Sequence, residues 1–518
     1  MKRKAYGRDA GLTLRMLFTG SLLGLLYVFF ALALFYVLNA GLVLMLVIVV
    51  PPTAPVFRSP EAAHGLLVPG QGATVTRRGA LASLVRGKME NSLIGGVPSG
   101  KPLISLANRP ARITFYVALP PPGKHHNVQR YPIAVVGPGY RALLVSSSTR
   151  LPGLVSLADV APSVRALNRG DRPRIRARPA GDPVAQLTRL DQRLTDAHDA
   201  RVPAMIVLAA LMASLGLLAL WTRSPLLGRA AFLVAPACVA IAVLLSAAAV
   251  TTPWVAVLML ALAATAAALG AAVLLRSRLP LVLGLGALFV FLFAVMWARP
   301  EWNTLAVIGP HPDGGGRFHG LTNQVETLLL SPALVLGMLL ALRALPLVAL
   351  AISAGVAASR IGADGGGLVV YLTGFLVLGL RVSRISALRA AAATAVAAGA
   401  ALLLVGIDAA TGGSSHVTDA VGGGPGSLAG DLAHRVHLSA ASVASTWNNA
   451  LFFTASVAAL VWLAFQRPRP PVLEALLAAL AVSLVVNDTP TDVAGWGALS
   501  ALVLWAWVRS DESAFRLE

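Results

Sequence analysis

Apolar and polar positions divide the sequence into three regions with different patterns. Residues 16–50 are apolar and uncharged, residues 51–201 mix charged residues with proline and glycine, and residues 202–508 return to long apolar runs. A helix that crosses a membrane needs about 20 consecutive apolar residues. The pattern therefore predicts an α-helical polytopic membrane protein of about 12 transmembrane helices, with a small α/β domain after the first helix.

The apolar runs after residue 201 are the candidate spans. They lie near residues 203–221, 230–250, 254–275, 279–298, 325–342, 344–359, 367–380, 390–408, 448–465, 472–486 and 493–508. Several are shorter than a full crossing, which is typical of helices broken inside a membrane domain. The stretch of residues 16–50 is too long for a cleaved signal peptide, so we expect a signal anchor that crosses once or dips a second time.

Residues 51–201 show the alternation of a small folded domain. Apolar residues alternate with polar ones from Ile113 to Leu119, which predicts a strand, and residues 131–136 and 141–145 predict two more. The glycine and proline residues at 137–139 predict a turn between the last two. A charged helix over residues 187–200 is expected to lead back to the membrane.

Arginine in the connections predicts the orientation. With the basic N-terminus (residues 1–15) in the cytoplasm, every connection on the same side carries arginine, as the positive-inside rule expects. These residues are Arg223, Arg229, Arg276, Arg278, Arg343, Arg381, Arg384, Arg389, Arg467 and Arg469. We therefore expect a bacterial cytoplasmic-membrane protein with residues 1–15 and 509–518 inside and residues 51–201 extracytoplasmic.

Composition agrees with this class and limits the partners. Hydrophobic residues make up 57% of the chain and charged residues 12%, about half the share in soluble proteins. The net charge of +20 lies in the domain and at the ends of apolar runs, so we expect no nucleic-acid partner. Membrane lipids are the expected partners, and envelope proteins are further candidates through residues 51–201. The single Cys238 excludes an intrachain disulfide.

Polar residues gather in the connections on the expected outer side. These connections hold the candidate ligand-binding residues, which are Arg317, His319, Asn323, Glu326, Arg360, Asp364, His416, Asn487, Asp488 and Asp492. Any one cluster could be an ordinary polar connector. Asp364 and Asp488, however, adjoin short spans, where an acid is costly unless it is paired or solvated. One alternative is a structural ion pair of Arg360 with Asp364, and the other is a set of broken helices around a polar site.

Known catalytic and cofactor motifs are missing from the sequence. It contains no HExxH, no paired CxxC, no GxxxxGK[ST] and no GxSxG, so we expect no metal and no cofactor. His434 and His437 share a helix face, but a zinc site needs further ligands in a defined arrangement. Ser146, Ser147 and Ser148 form a hydroxyl run in which no general base is evident. No catalytic residue is assigned, and the chain is not expected to be an enzyme.

Residues 8–50 resemble the membrane anchor of actinobacterial heat-shock zinc metalloproteases. The similarity lies in Arg-Asp-Ala-Gly-Leu-Thr-Leu-Arg-Met-Leu at residues 8–17 and Leu-Leu-Gly-Leu-Leu-Tyr-Val at residues 22–28. The catalytic helix of that family is absent here. The resemblance therefore implies an anchor and no protease activity.

A broader resemblance covers residues 62–518. Residues 131–140 and 148–162 look like the last part of an alkaline-phosphatase-superfamily domain. In actinobacteria such domains precede a multi-span region with motifs like Gly-Arg-Phe-His-Gly-Leu-Thr-Asn-Gln at 316–324, Gly-Ala-Asp-Gly-Gly at 362–366 and Asn-Asp at 487–488. This resemblance implies an architecture, while the short domain and the missing metal-ligand set imply that phosphatase chemistry is lost.

These observations lead to three functional hypotheses. The first is transport, flipping or binding of an envelope-related ligand, anionic or lipid-linked, at an outward-facing site. The second is a membrane-embedded transferase that acts on a lipid-linked substrate at the outer face, with His319, His416 or Asp488 as acid or base. The third is a non-catalytic scaffold for envelope assembly.

Overall fold

The computed structural model describes residues 53–93, 100–104, 113–340, 344–383, 387–410, 425–467 and 469–511. The predicted anchor of residues 16–50 and the basic N-terminus lie outside these ranges. His416 and the tail after residue 511 lie outside them as well. The described residues comprise an α/β domain followed by a region of long apolar helices.

The α/β domain is built around a sheet with the strand order β3-β5-β1-β6-β8, and β7 pairs with β1 beside β6. Strand β1 is antiparallel to β5 and parallel to both β6 and β7. The three strands predicted from the sequence are present as β3, β5 and β6. The strands are β1 (Ala62–Val68), β2 (Thr74–Thr76), β3 (Thr114–Val117), β4 (Lys124–His126), β5 (Tyr131–Val136), β6 (Ala142–Ser146), β7 (Leu154–Ser156) and β8 (Ile175–Arg178).

Two short helices, α1 (Arg77–Arg86) and α2 (Val160–Arg169), accompany this sheet. The hydroxyl of Thr76 accepts a hydrogen bond from the amide of Gly79 and so caps α1, which ends at Gly87 in the left-handed region. Apolar side chains from the sheet and from these helices form a buried core of their own. It includes Leu67, Ala80, Ile133, Leu144, Val155, Leu157, Val160 and Ile175.

Long apolar helices follow the domain, and each predicted apolar run after residue 201 falls on one of them. Among the described residues, seven helices are long and apolar enough to cross a membrane, so the chain is a helical multi-pass membrane protein. The helices are α3 (Pro183–Thr222), α4 (Pro225–Ala247), α5 (Pro253–Leu274), α6 (Arg278–Ala298), α7 (Pro300–Thr304), α8 (Asn323–Leu339), α9 (Leu345–Ala357), α10 (Gly365–Ser383), α11 (Ala387–Ala410), α12 (Pro425–Ala444), α13 (Trp447–Phe465), α14 (Pro471–Val486) and α15 (Pro490–Ser510).

Helix α3 joins the domain to the apolar region without interruption. It has 40 residues, and its first half is charged whereas its second half is apolar. Asp182 caps its first turn by accepting a hydrogen bond from the amide of Ala185. Arg130 of the domain pairs with Asp191 of α3 at 2.6 Å. The domain boundary expected at residue 201 therefore lies inside a continuous helix.

The helical region has two ends, which differ in their connections. Arg193 of α3, beside the domain, donates a hydrogen bond to the carbonyl of Ser246 at the end of α4. We call this the domain-proximal end. At the other end, which we call the distal end, Arg229 near the start of α4 pairs with Asp511 just after α15 at 3.2 Å. Arg381 at the end of α10 also lies at the distal end.

Candidate functional site

The domain-proximal end brings together the ends of α8, α9, α10, α14 and α15. The side-chain amide of Asn323, at the start of α8, donates hydrogen bonds to Asp488 and Thr489 between α14 and α15, each at 2.9 Å. The hydroxyl of Tyr371 in α10 donates to the main-chain carbonyl of Glu326 in α8 at 3.0 Å. Three polar clusters that are distant in sequence therefore lie together.

An ion pair between Arg317 and Asp364 lies at the centre of this arrangement. Nη1 of Arg317 lies 2.8 Å from Oδ2 of Asp364, and the two side chains are 29% and 3% exposed. The other oxygen of Asp364 accepts a hydrogen bond from the amide of Gly367 in the first turn of α10. The positive end of the α10 dipole thus also favours the carboxylate. Arg360, the partner considered from the sequence, is exposed.

Glu326 and Asn487 bring unpaired oxygen atoms to the same place. Glu326 is 1% exposed and Asn487 is fully buried. Within the described part of the chain, no donor reaches either carboxyl oxygen of Glu326 or Oδ1 of Asn487. A Cβ atom at Gly366 would lie 2.5 Å from Oδ1 of Asn487, and one at Gly367 would lie 2.6 Å from Oε2 of Glu326. The glycines of α10 therefore allow both oxygens to approach the start of the helix.

Glycine also sets the close contact of the two loops that carry Arg317 and Asp364. Gly320 has a φ of +82°, and a Cβ there would lie 2.1 Å from the carbonyl oxygen of Gly362. The same carbonyl accepts a hydrogen bond from the amide of Leu321 at 2.8 Å. A side chain at residue 320 would separate the loops, so this glycine is needed for the ion pair to form.

The α/β domain packs directly on these loops. The amide of Gly72 and the side-chain amide of Asn127 both donate to the carbonyl of Gly314, at 2.9 and 3.1 Å. Nη1 of Arg150 donates to the carbonyl of Ser359, between α9 and α10, at 2.7 Å. The domain therefore covers the polar helix ends.

His319 lies at the junction between the domain and the loops. Its ring hydrogen-bonds to the main chain of Ser148 and Ser359, and its Nδ1 is enclosed with no partner among the described residues. Burial and, after it, the positive charges of Arg150 and Arg317 lower the pKa of His319 to about 3, against the opposing effect of the main-chain hydrogen bonds. The ring is therefore neutral at neutral pH and is too weakly basic to act as an efficient general base there.

A second charged cluster, which sequence reasoning missed, joins α3 to the loop before α8. His198 and Arg201 contact Asp313 at 2.7 and 3.2 Å. Burial alone would raise the pKa of Asp313, but the hydrogen bond from His198 and the charge of Arg201 hold that pKa well below its usual range. This cluster ties the loop to the helix. This pairing could not be inferred from the sequence, because more than a hundred residues separate the partners.

The remaining candidates lie near this arrangement or outside the described residues. Asp488 is half-buried and accepts a hydrogen bond from the side-chain amide of Asn323, whereas Asp492 is exposed in the first turn of α15. His416 lies outside the described residues. The hydroxyl run of the domain also has an unforeseen partner, because both Ser146 and Ser148 donate hydrogen bonds to Asp159.

Neither a metal centre nor a known relative assigns a chemistry to this arrangement. No group of three or more His, Cys, Asp or Glu side chains that could hold a metal ion occurs among the described residues. No protein-family model, curated protein or solved structure matches the chain. The functional argument therefore depends on the geometry of the helix ends.

Proposed function

We propose that the chain is an integral membrane protein of the bacterial cell envelope that transports, flips or binds an envelope-related ligand at the domain-proximal end. The observation that carries this proposal is the convergence of helix ends on buried, incompletely paired polar groups. Helices α8, α9 and α14 have 17, 13 and 16 residues, which is short for a crossing. Membrane carriers commonly build their sites from such short or broken helices, whose ends supply polar groups.

The proposed orientation places the domain-proximal end outside the cell. Arg229, Arg381 and Arg469 belong to the distal end, where the positive-inside rule expects arginine in cytoplasmic connections. The proposal further includes about 12 spans, counting the anchor of residues 16–50, and an extracytoplasmic α/β domain. The bacterial inner membrane is the proposed location.

Arg317 is the residue proposed to contact the ligand. It is the most accessible member of the central ion pair, since its side chain is 29% exposed while that of Asp364 is 3% exposed. A phosphate or carboxylate could replace Asp364 as the partner of the guanidinium group, because guanidinium can donate two parallel N–H bonds to either anion. Lipid-linked phosphates fit a site that lies between membrane helices and an outer domain.

Binding of a polyprenyl phosphate to the purified full-length protein tests this proposal. Arg317→Gln should weaken binding by about ten- to a hundredfold, because a charge-assisted hydrogen bond contributes roughly 1.5–3 kcal/mol. Arg381→Gln at the distal end is the matched control and should bind as the wild type does. Inorganic phosphate in parallel separates recognition of the head group alone from recognition of the lipid. Equal binding by the wild type and Arg317→Gln would contradict the proposal.

A second candidate, binding of envelope proteins by the α/β domain, is favoured by an arginine-rich face. Arg165, Arg169 and Arg174 line a shallow cavity together with Leu103, Pro162, Ala166 and Asp171. Deletion of residues 60–195 should abolish partner capture if this scaffold function is the main one. The transferase hypothesis is less favoured, since a pKa of about 3 makes His319 too weak a base at neutral pH. Product formation from a lipid-linked donor by purified protein would support that hypothesis again.

A further inference from the structure

The carboxyl group of Glu326 lies next to another carboxyl group and lacks the hydrogen-bond donors that an ionised acid needs. Within hydrogen-bonding distance lies the carboxyl group of Asp364, which only accepts hydrogen bonds when it is ionised. No donor among the described side chains or amides reaches either oxygen of Glu326. Two facing carboxylates in a buried place cannot both ionise without a cation between them.

The charges around the pair leave one negative charge unbalanced. Arg317, from the loop before α8, is the cation that faces both acids, and it pairs with Asp364 at 2.8 Å. The hydroxyl of Tyr371 in α10 donates a hydrogen bond to the main-chain carbonyl of Glu326. This hydroxyl hydrogen is therefore not shared with the side-chain carboxyl group of Glu326. The side-chain oxygen Oδ1 of Asn487, at the end of α14, faces the start of α10. Asp488 accepts a hydrogen bond from the side-chain amide of Asn323.

We infer that Glu326 and Asp364 form a binding site for one proton, which Glu326 carries and donates to the carboxylate of Asp364. Asp364 then accepts hydrogen bonds from Glu326 and from the amide of Gly367, and it keeps its ion pair with Arg317. A proton fits the site better than a metal ion does. A metal ion needs several oxygen ligands, and no group of three or more His, Cys, Asp or Glu side chains that could hold one occurs among the described residues.

This site also gives the proposed carrier a coupling ion, and that part of the inference depends on the proposed function. If an anionic ligand takes Arg317, Asp364 loses its cation, and the two acids must retain their proton to stay buried. If the ligand leaves, Arg317 returns to Asp364. Ligand binding would therefore raise the affinity of the pair for its proton, and by linkage the bound proton would favour ligand binding, with Arg317 as the shared group.

Infrared spectroscopy of the purified full-length protein at neutral pH tests the proton directly. The wild type should show the carbonyl stretch of a protonated carboxylic acid, and Glu326→Gln should remove it. Glu474→Gln is the matched control and should leave the band unchanged, because Glu474 pairs with Arg381 and Arg469 at the distal end. A band that persists in Glu326→Gln, or its absence from the wild type, would overturn the inference. Loss of the band on adding sodium chloride in place of choline chloride would instead indicate a sodium site.

Thermal stability supplies a second measurement that needs no ligand. Glutamine has the shape and charge of a protonated glutamate, so Glu326→Gln should melt close to the wild type at neutral pH. A large fall in the melting temperature would mean that Glu326 is ionised in the folded protein, and would contradict the inference. A bound proton without polyprenyl phosphate binding would refute only the proposed function, whereas ligand binding without the proton would refute only this inference.

Discussion

Acidic residues at the two ends of the helical region differ in how they are balanced. At the distal end, Glu474 contacts both Arg381 and Arg469, and Asp511 pairs with Arg229. At the domain-proximal end, two acids face each other, and Arg317 is the cation that faces both of them. The distal acids are partly exposed, whereas Glu326 and Asp364 are almost completely buried.

The contrast separates acids that have their own arginine partners from buried acids that share one. Exposed ion pairs at helix ends contribute little free energy, typically below about 1 kcal/mol. A buried acid without a donor costs several kcal/mol and is retained in membrane proteins mainly where it acts on an ion or a substrate. The domain-proximal end is therefore where functional substitutions should have their effects.

The largest difference between the two ends is expected from their arginines. Arg317→Gln removes the cation of a pair whose acid is 3% exposed, and should lower the free energy of unfolding by about 3 kcal/mol. Arg381→Gln removes a side chain that is 61% exposed, and should cost less than about 1 kcal/mol. Thermal unfolding of both proteins in the same detergent measures the difference. Equal melting temperatures would show that the two ion pairs are energetically alike.

The sequence predicted the elements of this end but not their pairing. Apolar runs locate helices because lipid requires long uncharged segments. The helix that starts at Asn323 and the helix that ends just before Asn487 could therefore be found within a few residues. The runs also suggested that Asp364 is buried, because the adjoining helices are short. The partner of Asp364 could not be inferred, since Arg360 is nearer in the chain and only the contact between Gly320 and Gly362 brings Arg317 to the acid.

The domain was predicted less completely than the helices. Alternating residues revealed β3, and residues 131–136 and 141–145 were recognised as β5 and β6. Strand β1 was missed, because it begins with a continuous buried run that has no alternation to recognise. The docking of the domain on the loops depends on main-chain groups such as the carbonyls of Gly314 and Ser359. Every residue type carries these groups, so the sequence pattern holds no information about such contacts.

A smaller effect is expected from glycine in the loop that carries Arg317. Gly320→Ala places a Cβ against the carbonyl of Gly362 in a backbone conformation that alanine rarely adopts, and should cost about 1–3 kcal/mol. Gly316→Ala in the same loop is the control, because a Cβ there would have open space. The melting temperature and the affinity for polyprenyl phosphate should both fall in Gly320→Ala, and neither should change in Gly316→Ala. Unchanged stability of Gly320→Ala would mean that the loops can separate without cost.

The smallest effect concerns pH and the contact between the domain and the helices. The pKa of His319 is lowered from 6.5 to about 3 in the folded protein, so the unfolded chain binds more protons throughout that interval. Stability should therefore fall as the pH is lowered below 6.5, by about 1 kcal/mol between pH 7 and pH 5.5. His319→Gln should reduce the fall in melting temperature over this range, and His126→Gln, at an exposed residue of β4, is the matched control. If His319→Gln and the wild type lose the same stability on acidification, the ring does not hold the domain to the loops in its neutral form.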